Sequence, residues 1–277
     1  RRRLRIRDYQ GQPAGGGIWN ERMKPAYPAQ VQIDGEAYEF EKILKEDFFS
    51  VNALYRNAGG VRYVLKVSDF RFLGGRLLRP IAALMSVREY RIYRCIAGIS
   101  GVPPVGPRYG QRGFFHQYIE GRTLHELTDA DHLPDDFFDR LRAVYDALHS
   151  RRVLHIDAQK QGNFIWGNDG GPHVIDFQIA VRIPEWRGLT GRLAARAFEA
   201  LRREDLYHVY KHKRHFRPDL LTADESKLAS RTRVNTWLNK WVGRPYRALK
   251  RKIYPSGSND IIWYRWKRSA NRSRPMP

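Results

Sequence analysis

The chain has 277 residues, 42% of them hydrophobic and 13% aromatic, which excludes a disordered protein and is enough for one large domain or a two-lobed one. A single cysteine, Cys95, excludes an intramolecular disulfide and a cysteine-based zinc cluster, and fits a reducing compartment such as the cytosol. The net charge of +21 implies a polyanionic partner: nucleic acid, an anionic membrane surface or a phosphorylated substrate.

No apolar run approaches the ~20 residues needed to span a bilayer. The start, RRRLRIRDYQ, lacks the apolar core of a signal peptide. Residues 1–28 are basic and rich in Gly and Pro, and read as an extension with little core of its own.

From Val31 the pattern changes. VQIDGEAYEF alternates around Asp-Gly and predicts a hairpin. EKILKEDFFSVNALYR and VRYVLKV follow, joined by the turn NAGG, so the first third reads as an antiparallel sheet. RPIAALMSVREYRIYRCIAG predicts a helix, with Pro80 near its start and Gly98 at its end. GVPPVGPRYGQRGFFHQYIEG predicts one or two strands around a Gly turn. TLHEL and LPDDFFDRLRAVYDALHSRRV read as helical. Two short apolar pieces, NFIW and HVIDF, are joined by GNDGGP. LTGRLAARAFEALRREDLYHVYKHKRHF is a long basic helical region, one helix or two. Residues 246–277 form a basic tail that mixes Trp with Lys and Arg. Its IIWYRWKR suits either core packing or partner binding.

The chemistry concentrates in HIDAQKQGNFIWGNDGGPHVIDFQ, residues 155–178. A hairpin of NFIW against HVID brings Asn163 and Asp176 to one end, where an amide oxygen and a carboxylate suit Mg²⁺. Asp157 lies nearby, free to accept a proton from a hydroxyl. A plain polar hairpin explains these residues equally well taken alone. Two other residues shift the balance. Lys66 sits on the strand VRYVLKV, and Glu89, the one acidic residue between Asp69 and Glu120, sits on the following helix. A strand lysine paired with a helix glutamate can hold nucleotide phosphates.

In YVLK at Lys66, VREY at Glu89, HID with Asn163, and VIDFQ at Asp176, the chain resembles the protein-kinase-like superfamily over roughly residues 30–245. It looks most like the atypical branch of RIO kinases and bacterial lipopolysaccharide-core kinases acting on Kdo or heptose. The resemblance implies an α+β, two-lobed fold. Its N-lobe, residues 29–120, is an antiparallel sheet with one main helix. Its C-lobe, residues 121–245, is mainly helical.

The resemblance also implies an ATP-dependent kinase. Lys66, held by Glu89, would bind the α- and β-phosphates. Asn163 and Asp176 would hold Mg²⁺ or Mn²⁺. Asp157 would take the acceptor proton, with Lys160 on the transferred phosphoryl group. Backbone groups from Gln117 and Tyr118 to Glu120 would meet adenine, and Ser50 would assist a phosphate loop, LKEDFFSVN, that has no glycine.

Three further departures stand out. Ile156 replaces the arginine that docks a phosphorylated activation loop, so regulation by loop phosphorylation is not expected. Gln178 replaces the DFG glycine, which favours a fixed arrangement. One extra residue after Asp157 displaces Lys160 and Asn163 together. The acceptor implied is a lipopolysaccharide-core sugar or other anionic glycan, on a protein that is cytoplasmic or peripheral at the inner face of the membrane. A RIO-like kinase acting on protein or RNA, and a pseudokinase acting as a binding module, remain the alternatives.

Overall fold

The computed structural model describes residues 27–46, 50–68, 79–128 and 131–230. The basic N-terminal extension, the Trp-rich tail and the middle of the glycine-free loop lie outside these residues. The fold is α+β, with an antiparallel sheet first and helices after it.

Strands β1 (Gln30–Ile33), β2 (Glu36–Glu46), β3 (Ser50–Asn57) and β4 (Arg62–Ser68) form a meander. β5 (Val105–Tyr109) and β6 (Gly113–Gln117) complete a six-stranded sheet in the order β1-β2-β3-β4-β6-β5. Asp34 and Gly35 take φ of 52° and 93°, the left-handed pair that a two-residue hairpin turn requires. β2 shifts register against β3 twice, between Phe40 and Lys42 and between Ile43 and Lys45. Such bulges bend a strand, and the sheet curls.

Alternation assigns the two faces. Leu65, Val67, Ala53, Tyr55 and Phe115 bury one face with Val31, Ile33 and Tyr38. Lys66 pairs across with Asn52 on one side and Phe114 on the other. Directly paired residues share a face, so these three lie opposite the Leu65 cluster. Helix α1 (Arg79–Cys95) covers this second face, with Tyr93 against Phe114 and His116.

β7 (Gly121–Thr123) then pairs with the hairpin of β9 (Phe164–Gly167) and β10 (Pro172–Val174). Gly121 must be glycine, because a Cβ there would lie 2.2 Å from the Trp166 carbonyl oxygen. The expectation of helix over TLHEL is corrected here. Thr123 donates two bonds to the Glu126 carboxylate, from its N–H at 2.8 Å and its hydroxyl at 2.9 Å, but this local cap closes only a turn. Strand pairing to β9 has claimed the residues before it.

Helix α2 (Phe137–Ser150) buries Phe137, Leu141, Val144, Tyr145 and Leu148, the stripe of an amphipathic helix. β8 (Val153–Leu154) pairs with β11 (Val181–Arg182). The long basic region is one helix, α3 (Gly188–Phe216), not two, and α4 (Ala223–Leu228) follows it. One apolar core runs from α1 and β6 through Phe164, Phe177 and α2 to α3. No helix among the described residues is long and apolar enough to cross a membrane.

Candidate functional site

Glu89 falls on the buried stripe of α1, with Ala82, Ser86 and Tyr93 at helical spacing. That stripe faces the sheet surface carrying Lys66. The Lys66 Nζ lies 2.7 Å from Glu89 Oε1 and 2.7 Å from Asp176 Oδ1. Burial alone would lower the Lys66 pKa, but Asp176 and Glu89 outweigh it and hold the ammonium well above its ordinary value. Burial would raise Asp176; the Lys66 charge and hydrogen bond, helped by Lys45 and Lys160, hold it below the usual carboxylate range. Two carboxylates therefore share one ammonium, which leaves a local charge of about −1.

The hairpin does what its sequence suggests. Phe164 pairs with Val174, and the Ile175 N–H donates to the Asn163 carbonyl at 3.0 Å. Asn163 and Asp176 thus meet at one end. The Asn163 Nδ2 donates to the Asp157 carbonyl at 3.1 Å, so its Oδ1 is the atom left to present to a ligand. Asp157 is buried, and its Oδ2 is ion-paired with Lys160, whose side chain is about half exposed.

The residues after Asp157 divide between core and solvent, with Ala158 buried and Gln159 exposed. Two consecutive turns absorb the stretch, Lys160 N–H to the Asp157 carbonyl and Asn163 N–H to the Lys160 carbonyl. Ala158 points inward, fully buried, and its carbonyl accepts from His212 Nε2 on α3 at 2.9 Å.

Ile156 and Asp176 have φ of 67° and 65°. A β-branched residue in this region costs about 1–3 kcal/mol and must be held there. The holder is Asp205 of α3, which is buried. Its two carboxylate oxygens accept the His155 and Ile156 N–H groups, each at 2.9 Å. His149 Nε2 lies 3.2 Å from the same side chain. A column of rings joins this anchor to α1: His155 against Phe177 at 5.0 Å, and Phe177 against Tyr93 at 5.1 Å. Arg88, next to Glu89, donates to the Gln178 carbonyl at 3.0 Å and to the Ala180 carbonyl at 2.5 Å. The segment after Asp176 is therefore tied to the helix that carries Glu89.

Lys66, Glu89 and Asp176 form one cluster, and Asp157, Lys160 and Asn163 form the adjoining loop. The other expected ligand residues are placed differently. Ser50 opens β3, buried, opposite Ser68 and on the Lys66 face. The N–H groups of Gln117 and Tyr118 are taken by the Pro104 and Arg62 carbonyls, at 2.8 and 3.0 Å. Contacts within the fold thus occupy these two N–H groups. The Glu120 side chain is exposed and pairs with Arg62 at 3.2 Å.

Asp205, His155, Arg88 and Asn52 were not among the expected site residues. Asn52 faces the same way as Lys66, and its Oδ1 is buried with no hydrogen-bond partner. The signal for Asp205 was an acid seven residues after Phe198 on the apolar stripe of a helix. An open hollow of about 570 Å³ lined by Leu127, His132, His215 and Arg217 takes in none of these residues.

Burial pushes the His212 imidazole down to about 4, and it does the same to His116 beneath Tyr93. An unfolded histidine takes up its proton near pH 6.5. Stability is therefore complete above that value and falls as pH drops toward 4. The unfolding free energy read from urea titrations should fall between pH 6.5 and 5, by at most about 2 kcal/mol for each buried ring. His212→Gln should flatten part of that slope; an unchanged slope would show that His212 does not contribute.

No protein-family model matches the chain, and a search of curated proteins finds no significant match.

Proposed function

We propose that this chain is an ATP-dependent phosphotransferase of the protein-kinase-like superfamily, with two lobes meeting at the Lys66–Asp176 cluster. The observation that carries the reading is Lys66 shared between a helix glutamate and a hairpin aspartate. Asp157 and Asn163 adjoin it on a loop held in a strained conformation.

The donor set fits a nucleotide-bound divalent cation. Among the described residues no group of three His, Cys, Asp or Glu side chains forms a metal cage. Asp176 and Asn163 offer one carboxylate and one amide oxygen, which suits Mg²⁺ or Mn²⁺ completed by phosphate and water oxygens. When bound, such an ion neutralises charge on the β- and γ-phosphates.

Lys66, kept by Glu89, holds the α- and β-phosphates. Asp157 orients the acceptor hydroxyl. As the acceptor oxygen bonds to the γ-phosphorus, the bond to the ADP oxygen breaks and Asp157 takes the proton. Lys160, already paired with Asp157, offsets charge on the moving phosphoryl group. The Ile119 N–H, which has no partner among the described residues, is the backbone donor left for adenine between Gln117 and Glu120.

The acceptor we propose is an anionic glycan of the lipopolysaccharide-core type, at the cytoplasmic face of a membrane. The charge of +21 supports a polyanionic acceptor. Phosphate transfer to such a sugar, and not to RNA or protein, is the expected result; the reverse preference would move the chain toward a RIO-like role.

Ile156 cannot dock a phosphate, and Arg88 already fixes the segment after Asp176. Thr190 is the one Ser or Thr between residues 187 and 200. Thr190→Ala should therefore leave transfer within about twofold, a change of only ~0.4 kcal/mol. Loss of activity in a folded variant would revive control by loop phosphorylation.

A further inference from the structure

Helix α3 leaves the core at its start. From Gly188 to Ala197 no side chain is buried. Trp186, Leu189 and Leu193 are 59%, 73% and 58% exposed. A lone exposed apolar residue needs no explanation, but three within one short segment do.

Leu189 and Leu193 stand one helical turn apart, Arg196 continues their stripe, and Arg192 flanks it. Trp186 is drawn close to this turn. A Cβ at Gly191 would lie 2.0 Å from the Trp186 carbonyl oxygen, so only glycine lets the chain pass. Trp186, Leu189, Arg192 and Ala195 line an open hollow of about 570 Å³. Arg187, Arg192 and Arg196 make no ion pair among the described residues, whereas Arg202 and Arg203 further along are both neutralised by Glu199.

Apolar side chains interleaved with uncompensated arginines match a surface that is apolar inside and anionic at its rim. A symmetric contact with a second copy would set the same three arginines against themselves. We propose that the surface from Trp186 to Arg196 seats on an anionic lipid bilayer. The indole and the two leucines enter the boundary of the acyl chains, and the three arginines sit at the lipid phosphates. The surface requires neither ATP nor an acceptor, so it stands or falls separately from phosphotransfer.

Cys95 is the one cysteine, so Leu189→Cys in a Cys95→Ser background gives a single labelling site. An environment-sensitive fluorophore at position 189 of the full chain is read with phosphatidylcholine vesicles, with and without phosphatidylglycerol. The emission should shift to the blue only with phosphatidylglycerol, and lipids with spin-labelled acyl chains should quench it. A label at Lys227→Cys on α4 should do neither. The combined variant Trp186→Ala/Leu189→Ser/Leu193→Ser should lose at least tenfold in vesicle partition while its thermal unfolding is unchanged. Vesicle binding with no change at position 189, or full partition of the combined variant, would overturn the proposal. So would a blue shift that grows with protein concentration in the absence of lipid, which would assign the face to a second copy.

Discussion

Asp205→Ala should cost the chain about 3–5 kcal/mol of stability. The alanine would leave the His155 and Ile156 N–H groups and the His149 ring without the carboxylate they share. It would also release Ile156 from a backbone conformation that it does not adopt unaided. Asp205→Asn keeps one acceptor oxygen and should cost roughly half as much. In a chain of this size each kcal/mol lowers the melting temperature by about 2–4 °C. Urea or thermal unfolding reads the difference directly. A loss below ~1 kcal/mol for the alanine variant would mean that the loop from His155 to Asp157 is held by other contacts.

The second large effect falls on chemistry. Asp157→Asn should reduce phosphoryl transfer by about 10²–10⁴-fold, the usual contribution of a positioned general base. ATP affinity should change little, because the phosphates contact Lys66 rather than Asp157 in this account. Steady-state kinetics with varied ATP separates the two: kcat falls and the KM for ATP stays within a few-fold. A raised KM with unchanged kcat would make Asp157 a nucleotide-binding residue. Full activity would remove it from the reaction. Lys160→Ala should show a milder loss of the same kind, since its ammonium is half exposed and screened.

Much of the sheet was legible because its turns are spelled locally. Asp34-Gly35 supplies both left-handed residues of its hairpin. The NAGG turn fixes the pairing that puts Asn52 opposite Lys66. The hairpin from Asn163 to Asp176 was legible for the same reason, since two apolar pieces around GNDGGP pair in only one plausible register. The register also contained Asn52, which could have been found by counting back from Lys66 through the turn.

What escaped depends on distant partners. Thr123 and Glu126 read as the start of a helix, and their cap does form, but β9 from forty residues on takes Gly121–Thr123 as a strand. Asp205 lies fifty residues from the backbone it holds, so nothing near it names its partner. Arg88 was one of many arginines in a basic segment. Its role comes from the course of the chain after Asp176, which no local pattern encodes. The inward turn of Ala158 beside Asp157 was not legible either. The buried His212 on α3 draws Ala158 inward.

The most direct measurement is Mg²⁺-dependent ATP binding by the full chain, followed by calorimetry, with Asp176→Ala alongside. The wild type should bind ATP saturably in the presence of Mg²⁺ and turn it over. Asp176→Ala should stay folded and lose turnover, since it removes the carboxylate that pairs with Lys66 and that, in the proposed reaction, would hold the cation. Equal turnover in the two proteins, or no Mg²⁺-dependent ATP binding by the wild type, would contradict the account.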